Sequence, residues 1–142
     1  MDECIRLEYD VDHENFASAG NASESVKRTL KQLGVSPVTV RRVAIAMYEG
    51  EINMVIHAHG GKAVVEIYPD HIDIILMDRG PGIADIELAM KAGYSTATEN
   101  IRSLGFGAGM GLPNMKKYSD EMRIESTVGV GTNVYLRVNF EE

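Results

Sequence analysis

Between Gly105 and Gly111 every second residue is glycine (Gly105-Phe-Gly107-Ala-Gly109-Met-Gly111), and a short helix-like stretch, Pro113 to Tyr118, follows at once. Glycine lets the backbone approach a ligand closely and reach positive φ at little steric cost. The first turn of the following helix would direct free N–H groups and a positive dipole end into the loop, which suits a phosphate. A flexible lid or a tight packing corner would use the same pattern. The familiar nucleotide loops do not fit it. A P-loop has Lys and Ser/Thr directly after its last glycine, where this chain has Leu112-Pro113. In the dinucleotide fingerprint, counted from Gly107 and Gly109, the third glycine falls on Leu112, and no acidic residue closes a second strand about 20 residues later. A nucleotide held by this loop belongs to some other fold.

With 142 residues the chain is expected to form one domain, long enough to bury a real core. No apolar run reaches the roughly 18 residues of a membrane span, and the N-terminus lacks the basic-then-apolar pattern of a signal peptide. The lone Cys4 excludes an internal disulfide and agrees with a reducing cytoplasm. A net charge of −7 argues against general nucleic-acid binding, which relies on Lys and Arg to neutralise phosphates. It leaves room for a single nucleotide held by backbone amides and a metal ion.

Along the chain, Ile5, Leu7, Tyr9 and Val11 alternate with Arg6, Glu8 and Asp10, the period of a half-buried strand. Residues 12–22 have no clear period. Val26, Leu30 and Leu33 repeat at helical spacing, with Gly34 placed to end that helix. Ser36-Pro37 is a good N-cap and first-turn pair for a second helix running to about Ala58, apolar on most sides and therefore buried. Ala63 to Tyr68 and Ile72 to Met77 read as strands around a turn at Pro69-Asp70-His71. A short helix over Asp85 to Lys91 and a polar, aperiodic loop over residues 93–104 come next. Met122–Val128 and Thr132–Phe140 read as closing strands joined at Gly129-Val130-Gly131. This order predicts an α/β two-layer sandwich, with helices on one face of a mixed, mainly antiparallel sheet.

The second helix carries the chemistry. Glu49, Asn53 and His57 fall at i, i+4 and i+8 and so share one helix face. A carboxylate and an amide on a buried helix need partners, because burial without them costs several kcal/mol; a solvated polar stripe would look the same. Gly50 costs about 1 kcal/mol against Ala inside a helix, which implies close backbone contact there. Asn53 offers a hard oxygen suited to Mg²⁺, one turn from a Glu able to act as base toward a hydroxyl or water. His57 is read as structural. Asp78, at the end of an apolar strand and before Gly80-Pro81-Gly82, can accept a hydrogen bond from a ligand amine such as the exocyclic amine of adenine. A plain turn capped by Asp is the simpler alternative.

Taken in order, Glu49-x-x-x-Asn53, Asp78-x-Gly80-x-Gly82, the glycines 105 to 111 and Gly131-Thr132 resemble the N, G1, G2 and G3 boxes of the GHKL (Bergerat-fold) ATPases, over about residues 36 to 138. The resemblance implies a single ATP-binding kinase domain over 1–142 with a glycine-rich ATP lid. It implies Asn53 as the Mg²⁺ ligand, Glu49 as general base and Asp78 as partner of the adenine amine. Gly80, Gly82, Gly105, Gly107, Gly109, Gly111 and Leu112 would surround the nucleotide, and Thr132 would contact the base alongside Asp78. Histidine-kinase domains follow a dimerising helix hairpin, for which the stretch before residue 36 leaves no room. The runs DRGPGIADIELAMKAGYS and GLPNMKKYSDEMRIESTVGVGTNV are similar to the anti-sigma-factor serine/threonine kinases, and most of all to the stressosome switch kinase. The loop from Thr96 to Leu104 is longer than in that type. Arg102 lies near the place of an arginine that approaches the γ-phosphate in anti-sigma kinases, at a different offset from the glycines. The resemblance thus implies an ATP- and Mg²⁺-dependent cytoplasmic kinase that phosphorylates a STAS-domain antagonist in a partner-switching pathway controlling transcription. The competing expectation is a non-catalytic, ATP-loaded module that sequesters a sigma factor or activates another regulator. Edge pairing of the N-terminal strand would give a homodimer, and neither nucleic acid nor membrane is an expected partner.

Overall fold

The computed structural model describes residues 4–11, 20–57, 60–80, 90 and 111–140. In chain order these form β1 (Ile5–Val11), α1 (Asn21–Gln32), α2 (Pro37–His57), β2 (Gly61–Ile67), β3 (His71–Asp78), α3 (Gly111–Lys117), β4 (Glu121–Thr127) and β5 (Gly131–Asn139). The strands make one sheet in the order β1-β2-β3-β5-β4. All four pairings are antiparallel, so among the described residues the sheet is not mixed. The reason lies at the end of the chain: β4 takes the outer edge, and the turn at residues 128–130 brings β5 back between β4 and β3.

Alternation assigns the two faces. Ile72, Ile74 and Leu76 of β3 and Val134, Leu136 and Val138 of β5 are buried against the helices, with Ala63, Val65 and Ile67 of β2. The intervening residues point the other way, and several of them, Lys62, Glu66, Asp73 and Arg137, are charged. There Arg137 forks onto Asp73 at 2.7 and 3.1 Å, and the Arg123 guanidinium lies 4.3 Å from the centre of the Tyr135 ring. Among the described residues one core therefore sits between the sheet and helices α1 to α3, with Val26 and Leu30 from α1, Val43, Met47 and Val55 from α2, and Met115 from α3.

The helix boundaries follow from local chemistry. Gly34, at φ 80°, ends α1, and the Val35 N–H reaches back to the Leu30 carbonyl at 3.1 Å. Ser36 caps α2, accepting the Thr39 N–H at 3.4 Å and donating its hydroxyl to Thr39 Oγ1 at 3.0 Å. Helix α3 starts at Gly111, two residues ahead of the expected Pro113. A proline in the first turn loses no intrahelical donor, so the helix accommodates it there. The helix expected at Asp85 to Lys91 and the loop at 93–104 lie outside the described residues, apart from Met90.

Candidate functional site

Asp78 is the last residue of β3 and shares the parity of Ile72, Ile74 and Leu76, so its side chain faces the helical layer at the sheet's end. Both of its neighbouring strands present glycine. Gly61 pairs with Asp78 across β2, at φ 152°, and a Cβ there would collide with the Met77 carbonyl and come within 2.8 Å of Asp78 Cα. A Cβ on Gly131 of β5, at φ 153°, would collide with the Asp78 carbonyl. The backbones on either side close in on Asp78 because neither carries a side chain there. The Thr132 N–H donates to Asp78 Oδ1 at 2.9 Å. Burial nevertheless holds the Asp78 carboxyl above its ordinary pKa, with the Thr132 hydrogen bond opposing the shift. Among the described residues its second oxygen has no partner, which suits a ligand N–H donor. Gly80, just past the strand, is buried.

Thr132 is itself buried, and its hydroxyl bonds Ser126 Oγ at 2.8 Å across the β4–β5 hairpin. Ser126 carried no signal in the sequence; only the register that sets it opposite Thr132 brings it to the site.

Helix α2 crosses the sheet next to this strand end. Gly50 lies against Leu76, two residues before Asp78, and a Cβ on Gly50 would collide with the Leu76 side chain and come within 3.3 Å of Met115 Sδ. The close contact expected of Gly50 is present. Glu49 is half-buried, and burial raises the pKa of its carboxyl, opposed by a hydrogen bond from Asn114 Nδ2 to Oε1 at 3.4 Å. Asn53 is half-buried one turn further on. His57 ends α2, and its side chain lies outside the described residues, as do Gly82, Gly105, Gly107, Gly109 and Arg102. Gly111 and Leu112 open α3, which packs on α2. The structure thus places Glu49 and Asn53 on the helix that crosses the strand of Asp78, with Thr132 beside Asp78 on the neighbouring strand.

Two further polar residues were missed beforehand. Asn114 had a weak signal, an amide three positions after the last glycine of the run. Glu51 had none. It is buried, and its carboxylate accepts the N–H groups of Gly20 at 3.0 Å, Ala22 at 3.2 Å and Ser23 at 2.6 Å. Two residues from Glu49, it points to the other side of α2 and fastens α1 there.

Among the described residues no helix is long and apolar enough to cross a membrane. Nor does any group of three His, Cys, Asp or Glu side chains there form a metal cluster.

A model of the histidine kinase-, DNA gyrase B-, and HSP90-like ATPase family matches residues 39–142. The chain is 33% identical over 112 residues to the serine/threonine-protein kinase RsbT of Bacillus subtilis, covering 76% of this chain and 78% of that one. It is 32% identical over 139 residues to the anti-sigma F factor of Pasteuria penetrans, covering 93% and 87%. A crystal structure of the RsbU and RsbW domains of a Mycobacterium tuberculosis protein superposes with a TM-score of 0.64 at 14% identity, over 96% of this chain and 32% of the larger one. That last likeness concerns the fold.

Proposed function

The chain belongs to the histidine kinase-, DNA gyrase B-, and HSP90-like ATPase family, and from that premise we propose that it is a serine/threonine protein kinase of a partner-switching pathway. Its substrate is a STAS-domain antagonist, and through that protein it governs a sigma factor in the cytoplasm. The names of the relatives support this reading, as a serine/threonine kinase and anti-sigma factors.

Glu49 is the observation that carries it. A carboxylate whose pKa burial has raised is a stronger base than an exposed one. It accepts the proton of the substrate hydroxyl as the serine or threonine oxygen bonds to the γ-phosphorus. The bond from that phosphorus to the β,γ-bridging oxygen breaks, and ADP leaves. Asp78 takes the adenine amine on the oxygen that Thr132 does not use, which selects adenine over guanine, whose corresponding group is an acceptor. Gly80, Gly82, Gly105, Gly107, Gly109, Gly111 and Leu112 surround the nucleotide, and Thr132 lies alongside the base.

The donor set fits Mg²⁺. The Asn53 amide oxygen would be a hard ligand for it, with phosphate oxygens and water able to complete the shell. When bound, Mg²⁺ offsets the negative charge on the transferring phosphoryl group. Strand β1 is a sheet edge with β2 as its sole partner among the described strands, so a second copy can pair there to form a homodimer.

The test is transfer of labelled γ-phosphate from Mg-ATP to STAS-domain proteins of the same organism, with Glu49→Gln alongside. Label on one such protein, lost in the variant, supports the kinase and identifies its partner. Tight ATP binding with no transfer to any of them would replace the kinase by a nucleotide-loaded binding module.

A further inference from the structure

The Glu49 carboxylate meets an amide that arrives from a different part of the chain. Asn114 Nδ2 lies 3.4 Å from Glu49 Oε1, and both side chains are half-buried. The approach follows from packing. Gly50 leaves a notch in α2 that Leu76 and Met115 fill, and Met115 is 1% exposed. Asn114 precedes Met115 as Glu49 precedes Gly50, so seating the methionine brings the amide up to the carboxylate. The Asn114 carbonyl is engaged by the Tyr118 N–H at 3.1 Å, at the end of α3, and the side chain is left to turn toward α2.

We propose that Asn114 is the positioning residue for Glu49: its N–H fixes one carboxylate oxygen and the plane of the group, and directs the other oxygen toward the substrate hydroxyl. The inference rests on Glu49 being the base. An ionised carboxylate on a side chain with three rotatable bonds has several orientations, of which few aim a lone pair at a given hydroxyl. One donor at Oε1 removes most of them. An amide does so without the charge of Lys or Arg, which would make the carboxylate a weaker base. The 3.4 Å separation is at the long end for a hydrogen bond, as is common for catalytic contacts before substrate is bound.

Two variants of nearly unchanged size separate positioning from packing: Asn114→Leu removes the donor and keeps the bulk, and Asn114→Asp replaces the donor by an acceptor. Steady-state transfer to the STAS-domain substrate gives kcat and KM, and calorimetry gives the Mg-ATP Kd. In both variants kcat falls by about tenfold or more, the scale of a misplaced catalytic group, while Kd stays within about twofold. A wild-type kcat in either variant overturns the assignment. So does a Kd that weakens in step with kcat, which would make Asn114 a structural or nucleotide-binding residue. Glu49→Gln in the same assay separates the two layers of argument. If it transfers at the wild-type rate, the base itself is wrong and this inference falls with it. If it is inactive while Asn114→Leu is normal, only the positioning role falls.

Discussion

The Thr132 N–H donates to Asp78 Oδ1 at 2.9 Å, so one carboxylate oxygen is engaged inside the protein while the other has no partner among the described residues. Asp78→Asn separates those roles. Its amide oxygen can still accept from Thr132, but the position facing the ligand then carries an NH₂ group, which opposes the adenine amine. A hydrogen bond to a charged group contributes roughly 1.5–3 kcal/mol, so ATP affinity should fall about tenfold to a hundredfold. Calorimetric titration with ATP measures this directly. Unchanged affinity would remove Asp78 from the nucleotide site.

Gly131 and Gly129 sit two residues apart in one hairpin and should respond differently to alanine. At Gly129, φ is 83° and a Cβ would meet nothing within 4 Å, so Gly129→Ala should cost about 1 kcal/mol of backbone strain. At Gly131 the Cβ would drive into the Asp78 carbonyl. Strain and overpacking together predict roughly 2–4 kcal/mol for Gly131→Ala. Urea unfolding gives both values. ATP affinity should drop in Gly131→Ala alone, because that variant displaces Asp78.

Burial raises the carboxyl pKa values of both Glu49 and Asp78. Native protein then holds more protons than unfolded chain between the unfolded and folded pKa values, so stability falls as pH rises through that window. The stabilising contribution of each group is full below its unfolded pKa and is lost on passing the folded one. Without ligand, the double variant Glu49→Gln, Asp78→Asn should therefore be less sensitive to pH. Its advantage over wild type should be smallest near pH 4, grow with pH and level off above both folded values. Denaturant midpoints across that range test this, and a gap that is constant with pH would contradict the burial argument.

How much was legible in the sequence depended on the range of the interaction. Gly34 and Ser36 act within four residues of themselves, and both helix ends lie where their chemistry puts them. The alternation of β3 and β5 marked the buried face, and the same parity carried Asp78 and Thr132 to one end of it. The relation of β5 to β3 is different in kind. That β5 inserts between β3 and β4 depends on which strand wins a contact across about 60 residues, and no local pattern encodes it. Asn114 reaches Glu49 across 65 residues, and Ser126, a hairpin neighbour of Thr132, comes near Asp78 only because β5 pairs with β3.

Glu51 is the sharpest case, and its replacement carries a large expected loss of stability. Gly20 begins α1 with φ 97° and no side chain to cap the first turn, so the helix opens with unsatisfied N–H groups. Glu51 supplies the missing acceptor from α2, reaching residues 28 to 31 positions earlier in the chain. The carboxylate also lies at the positive end of the α1 dipole. Glu51→Ala would leave three N–H donors without their partner, two of them in buried residues, at roughly 2–4 kcal/mol net, since unpaired buried donors cost about 1–3 kcal/mol each and water reaches part of the cavity. The expected result is a lower urea midpoint with an unchanged slope, while ATP affinity at low temperature stays within about twofold because Glu51 faces away from Glu49. A large loss of ATP affinity at full stability would instead mean that the α1 end belongs to the nucleotide site.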